Sequence, residues 1–241
     1  MKDSKETETS VQRPILMSDH DQKEKLSPVH KLEGNSRNNF INHVRPRFIS
    51  ERVLSVFYTF CLGGLSFLAF LMLGITGILL MFHYQPGASS GYSSVLTIGS
   101  VIPYGYVIRN LHYWSAQIMI VTVNLHMVRV VWTHSYKPPR QLNWLVGVGL
   151  LVLVLVLDFT GYLLVGSQES GAAATVAANL LKQIPGLGTA LAQIALGEPS
   201  ALSGSTLVVY VWHCAVLPLA MLWLQLYHFW RIRRDGGVRP L

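Results

Sequence analysis

Polar and apolar residues in this chain are segregated into long blocks rather than mixed. Residues 1 to about 50 interleave Lys, Glu, Ser, Asn and Asp without apolar periodicity, which predicts a polar tail, disordered in large part. Four blocks that are apolar on every side follow and predict helices over roughly 53–82, 106–133, 142–166 and 206–231. Each is long enough to cross a hydrocarbon layer of about 30 Å with some tilt. The stretch from Gln85-Pro86-Gly87 to Pro103 reads as a loop, and Ser135 to Arg140 as a short basic turn. The connection between the third and fourth blocks holds two mildly amphipathic pieces, 171–184 and 187–197, divided by Pro185-Gly186. They read as lying along the membrane surface, with a deeper re-entrant segment as the less favoured alternative. The pattern thus predicts a tail over 1–50 and an all-α, integral membrane four-helix bundle over 51–241.

Composition agrees. Of the 241 residues 51% are hydrophobic and 13% charged, about half the charged content of a soluble domain, and the mean hydropathy is +0.37. The net charge of +7 would suit a nucleic-acid partner if it formed a face, but 10 of the 19 Lys and Arg lie within residues 1–52. Most of the others flank apolar blocks, which excludes nucleic acid and reads as membrane topology. The tail, the basic turn with Arg129, and the C-terminal arginines hold 17 of the 19 basic residues; only Arg109 and Lys182 fall on the other side. Both termini are therefore expected in the cytoplasm, as an even number of spans requires. The tail has no apolar core of a cleavable signal peptide. Cys61 and Cys214 both lie in apolar surroundings and give no disulfide framework.

Histidines carry the chemistry. Of nine, His20, His30, His43 and His134 fall in polar segments and His83 at the end of the first block, but His112 and His126 lie in the second helix and His213 and His228 in the fourth. Ionisable residues inside spans are costly and call for a partner or a cofactor. The separations are 14 and 15 residues, a rise of roughly 21–23 Å that returns to nearly the same helix face. Both helices enter the membrane from the same side, so His112 matches His213 in the outer half and His126 matches His228 in the cytoplasmic half. Two opposed imidazoles suit the axial positions of an iron porphyrin; zinc is the weaker fit, because it wants three or four ligands and no others cluster here. The first and third helices repeat the interval: Gly63 and Gly77 are 14 residues apart, as are Gly147 and Gly161. Either pair alone reads as plain helix packing. Four helices sharing one repeat instead predict two stacked haems, with bare glycines admitting a flat macrocycle at two levels.

These residues resemble the cytochrome b/b6 family, in particular its split, b6-type form, over roughly 43–241. The matching pieces include Cys61-Leu62-Gly63-Gly64, Pro103-Tyr104-Gly105 through Arg109-Asn110-Leu111-His112, Leu125-His126-Met127-Val128-Arg129, Tyr136-Lys137-Pro138-Pro139-Arg140 through Trp144, and Ile184-Pro185-Gly186. The 15-residue step between His213 and His228 is like the b6 form. The resemblance implies a dihaem subunit carrying electrons across the membrane between quinone and quinol sites of a respiratory or photosynthetic bc-type oxidoreductase, rather than an enzyme alone. It implies two b-type haems, with Arg109 and Arg129 pairing with their propionates, and menaquinone or another membrane quinone. Cys61 matches the position where b6-type proteins attach an extra c-type haem; its bland reading is a small packing residue, which is also the reading for Cys214. Partners implied are a separate subunit IV-like membrane protein, a Rieske iron–sulfur protein and a c-type cytochrome, in a homodimeric complex of a bacterial inner membrane.

Two outer features depart from the family pattern. Val165-Gly166-Ser167-Gln168 stands where a Pro-Trp run is usual, and Ser205-Thr206-Leu207-Val208-Val209-Tyr210 lacks an Arg usual before the fourth helix. These motivate an alternative, a b6-like electron conduit of a non-conventional complex whose outer quinol site is altered or lost. Asp158, inside the third helix, reads as a hydrogen-bonded structural group or, less favoured, a proton-relay carboxylate. A haem-free transporter is a third reading, against which stands the absence of inverted repeats and broken midplane helices.

Overall fold

Long uncharged runs of Leu, Val, Ile, Phe and Gly form helices because every backbone polar group is then satisfied within its own segment, as a hydrocarbon layer requires. The computed structural model describes residues 61–87, 90–197 and 202–236, all within the unit Ser55–Leu241. The expected tail over 1–50 and the start of the first helix lie outside the described residues, as do most of the residues after Asp235.

Four helices are long and apolar enough to span: α1 (Leu62–Met81), α3 (Gly105–Trp132), α4 (Gln141–Leu164) and the stretch Thr206–Asp235. The described ends lie within a few residues of the predicted blocks except at the start of the first, where the predicted residues 53–60 lie outside the described residues. The last begins as α7 (Leu202–Val211), passes through one π-helical turn (Trp212–Val216) and continues as α8 (Leu217–Asp235). The π turn has a local cause: Pro218 has no N–H and its ring crowds the carbonyl four residues back, so Leu217 N–H reaches Trp212 O, five residues away.

The segment from Gln85 to Pro103 is not all loop. Ser90–Ser100 forms α2, which buries Gly91, Ser94 and Ile98 on one face and packs on α3. Its serine- and glycine-rich composition hid a helical period that only packing makes decisive. The two amphipathic pieces are helices α5 (Gln168–Lys182) and α6 (Gly188–Leu196), which pack against each other. Ala178, Ala192 and Leu196 join Leu163, Leu164 and Val209 in one buried cluster.

Burial is inverted relative to a soluble protein. Leu68, Ile75, Val121, Val128, Leu145 and Leu219 are exposed, while Thr76, Thr122, Thr160 and Arg231 are buried. Such a surface is stable only against lipid or partner helices.

A second cluster divides the bundle by depth. Ala69, Met119, Leu150, Val154 and Met221 pack together from α1, α3, α4 and α8. Met119 falls midway between His112 and His126, Val154 midway between Gly147 and Gly161, and Met221 next to the midpoint of His213 and His228. An apolar layer, with Val154 only 1% exposed, therefore separates two histidine levels.

Candidate haem-binding bundle

All four intramembrane histidines lie in the helices that sequence reading gave them, and each has a glycine before it on a neighbouring helix. A Cβ placed on Gly77 would lie 3.2 Å from His112 Cε1, and one on Gly161 2.8 Å from His213 Cε1. The corresponding distances are 3.5 Å from Gly63 to His126 Cε1 and 3.7 Å from Gly147 to His228 Cε1. The glycines therefore make room first for the imidazole edges: α1 backs both histidines of α3, and α4 backs both of the fourth span.

At the His112/His213 level the ring centres are 6.4 Å apart and the planes are 67° to each other. Two imidazoles sharing a metal at about 2.1 Å, with ring centres about 1.1 Å beyond the nitrogens, stand about 6.4 Å apart when the arrangement is linear. A tetrahedral angle at the metal draws the same centres in to about 5.2 Å. The spacing fits opposed axial ligands and not a zinc site. Among the described residues no group of three or more His, Cys, Asp or Glu comes together.

The Nδ1 atoms at this level have hydroxyl partners that sequence reading missed, Thr76 Oγ1 at 2.9 Å from His112 and Thr160 Oγ1 at 3.1 Å from His213. The signal available was Thr standing directly before both Gly77 and Gly161.

At the other level His126 and His228 line one cavity of about 250 Å³, with Gly63, Gly147, Arg140 and Asn143. Arg140 Nη1 and Asn143 Oδ1 are buried there without hydrogen-bond partners, although Arg140 Nε donates to the Gly236 carbonyl at 3.3 Å. Unsatisfied buried polar atoms cost about 1–3 kcal/mol each, and a carboxylate-bearing ligand would satisfy a guanidinium. Arg140 is thus a site residue that the sequence presented only as part of a basic turn.

The remaining candidates are dispersed. Arg109 is exposed near the start of α3, and Arg129 is partly buried in its last turn. Cys61 is exposed where α1 begins, at φ 46°, whereas Cys214 is half-buried against the outer cluster. Val165 and Gly166 end α4, Gly166 taking φ +69° as a helix-terminating glycine does, and the Ser167 hydroxyl then accepts from Ser170 N–H at 3.3 Å to start α5. Tyr84, outside the spans, donates to the Leu164 carbonyl at 2.8 Å and stacks on Tyr210. Burial, with Cys214 and Tyr210 adding to it, pushes its hydroxyl up to about 12, so it keeps its proton at physiological pH. Asp158 is partly buried on α4.

Four membrane-length helices with one pair of imidazoles 6.4 Å apart and a second pair lining a common cavity, each imidazole backed by glycine, match a membrane haem protein of the four-helix type. Comparison with known proteins makes the assignment specific. The family model for cytochrome b/b6/petB matches residues 48–236. Cytochrome b6 of Heliobacterium mobile is 39% identical over 193 residues, covering 80% of this chain and 90% of that protein. The menaquinol:cytochrome c reductase cytochrome b subunit of Geobacillus thermodenitrificans is 33% identical over 185 residues, 76% of this chain and 83% of that one. A solved structure titled hyperthermophilic respiratory complex III superposes with a TM-score of 0.65 at 22% identity over 91% of this chain, which spans 56% of that one. The chain belongs to the cytochrome b/b6 family. It is an integral membrane cytochrome b that binds b-type haem and serves electron transport in a bc-type quinol oxidoreductase, and a haem-free transporter is excluded. The buried cationic and imidazole groups fit that cofactor.

Proposed function

We propose that the chain holds two b haems, one between His112 and His213 and one between His126 and His228, and moves electrons between quinone sites at the two membrane faces. The observation that carries this reading is the outer pair of ring centres 6.4 Å apart, repeated one level down by a second pair in a common cavity. Held between these imidazoles, a b haem would supply one-electron transfer. The protein's part is to fix both imidazole pairs, exclude water with the Ala69–Met221 layer between them, and balance propionate charge with cations. Arg129 and Arg140 stand at the cytoplasmic level for that purpose and Arg109 at the outer one. Exchanging Arg140 for Gln should lower retention of the cytoplasmic haem during detergent washing while sparing the outer haem. Equal retention of both, measured as haem per chain, would remove Arg140 from the site.

The name of one group of relatives, a menaquinol:cytochrome c reductase cytochrome b subunit, supports menaquinone as the quinone and an assembly of several subunits; the partners proposed with it are a subunit IV-like protein, a Rieske protein and a c-type cytochrome, in a homodimer in a bacterial inner membrane. The distribution of basic residues supports a topology with both termini in the cytoplasm. Under this topology α5 and α6 lie at the outer membrane surface, and the 1–50 segment is a cytoplasmic tail. The alternative of a conduit with a lost outer quinol site is not favoured by the relatives. Gly166 and Ser167 still shape an ordered helix-to-helix corner there.

Exposure of Cys61 at the cytoplasmic end of α1 supports a third, covalently attached haem at that position. A pyridine haemochrome assay before and after acid–acetone extraction tests the whole inventory. The expected result is two extractable b haems per chain and one haem retained, the latter disappearing in Cys61→Ser. Two extractable haems with none retained would leave Cys61 without that role, and a single haem would refute the paired levels.

A further inference from the structure

Helix α3 carries a second periodic pattern, on the face away from the histidines. Asn110, Gln117 and Asn124 follow one another at seven-residue intervals, and each stands two residues before an inward side chain, His112, Met119 and His126 in turn. Two residues turn a helix by about 200°, so the three carboxamides lie opposite the inward row. Seven residues return to within about 20° of the starting face at a rise of roughly 10.5 Å, so they form one line along the helix. Tyr106, Tyr113, Val121 and Val128 share that side, and all four are exposed. Asn124 is exposed as well, and Asn110 and Gln117 are partly so.

Such a line is costly against lipid. Gln117 stands two residues from Met119 of the apolar layer, near mid-depth, where a short amide reaches neither headgroups nor water. A carboxamide has two donor hydrogens and a carbonyl oxygen. Asn124 Nδ2 gives one hydrogen to the Ile120 carbonyl of its own helix at 2.8 Å; the second hydrogen and the oxygen remain for another group. The bundle meets α3 on other faces, α1 through His112, Thr122 and His126, and α4 through Met127.

A seven-residue repeat keeps two helices in contact along their length, crossing at about 20°. Two copies of this chain in one membrane have the same orientation, so paired α3 helices would set equal-numbered residues against each other. Tyr106, Tyr113 and Trp114 are exposed, the last two edge to face with ring centres 5.5 Å apart. In a pair of copies these rings would oppose their own counterparts, whereas close approach of membrane helices needs small residues. The complementary surface is a different helix, with small residues facing the rings and amide or hydroxyl groups facing the carboxamides. We infer that Asn110, Gln117 and Asn124 form the docking seam for a transmembrane helix of the separate membrane protein in the proposed assembly. This rests on the multisubunit reading above.

The test uses the full chain in its own membrane. A photoreactive benzophenone amino acid is placed at position 121, which keeps all three amides, and the adduct formed on irradiation is mapped by mass spectrometry of the purified complex. It should join position 121 to a membrane-spanning peptide of a second protein. In parallel, Gln117→Leu, Asn124→Leu and the double variant are purified in mild detergent. Leu suits a span, so haem per chain should be unchanged, while the second protein retained per chain should fall about three- to tenfold for each amide lost. Gln117→Asn and Asn124→Gln, which keep an amide, should retain it. An adduct with α3 of a second copy, adducts with lipid alone, full retention in the double Leu variant, or loss of haem in step with the partner would overturn the inference. A purified complex holding no second membrane protein would refute the multisubunit reading itself, and the inference with it.

Discussion

His126→Ala or His228→Ala removes the cytoplasmic b haem and leaves the outer one in place, and His112→Ala or His213→Ala does the reverse. The expectation follows from the separation of the two levels. The histidines of one pair sit on different helices, α3 and the fourth span, and the apolar layer of Met119, Val154 and Met221 lies between the pairs. Loss of one imidazole leaves that level with a single ligand and an apolar cavity, while the other level keeps both ligands, both backing glycines and its own packing. Haem per chain should therefore fall by one, and a redox titration should lose one transition and keep the other near its former potential. Retention of both haems in His126→Ala would refute the pairing. Loss of both would show that the levels form one cooperative unit.

Gly161→Ala should be the most damaging of the four glycine-to-alanine changes. The added methyl carbon would stand 2.8 Å from His213 Cε1 and 3.4 Å from its Nε2, closer than packed carbons approach, so the ring or the α4 backbone must shift. Overpacking of this kind costs about 1–3 kcal/mol, and the displaced atom is next to the ligand nitrogen. Gly77→Ala, at 3.2 Å from His112 Cε1, should follow, with Gly63→Ala at 3.5 Å and Gly147→Ala at 3.7 Å tolerated. For the last two the better helix propensity of Ala, about 1 kcal/mol over Gly, offsets the contact. Haem occupancy and thermal stability of the four variants should rank in that order, and the first two should lose the outer haem selectively. A flat series would mean that the glycines serve helix packing alone. Leu in place of Gly147 should then be tolerated as well, whereas here it should expel the cytoplasmic haem.

Sequence reading found the four histidines because an ionisable residue inside an apolar block is conspicuous, and it paired them because helical rise converts residue spacing into depth. It found the glycines through the shared interval, but their contact with imidazole edges, not only with a ligand plane, came from the packing. The 15-residue step from His213 to His228 is one residue longer than the 14 between His112 and His126. The π turn at Trp212–Val216 explains it, since one extra residue in a wide turn returns the following helix to the face that 14 residues would give. Pro218 was the visible cause, but a proline in a span can also kink or be absorbed, and sequence does not say which. Helix α2 was read as loop because Ser and Gly dominate it; its period of Gly91, Ser94 and Ile98 gains meaning only once α3 is there to cover it. Arg140 looked like a topology signal in a basic turn, and its second role depends on α8 ending beside it at Gly236.

The sequence by itself determined that this chain crosses a membrane four times, at what depths its imidazoles lie and on which helices, because hydropathy and helical rise are local properties. Only the tertiary structure decided which groups meet those imidazoles: the threonine oxygens at the outer level, the partnerless guanidinium nitrogen at the cytoplasmic level and the apolar layer between. The Thr–His contacts join residues 36 and 53 positions apart, and their distances depend on how helices cross. Helix crossing is set by the summed packing of whole faces, which no single segment encodes.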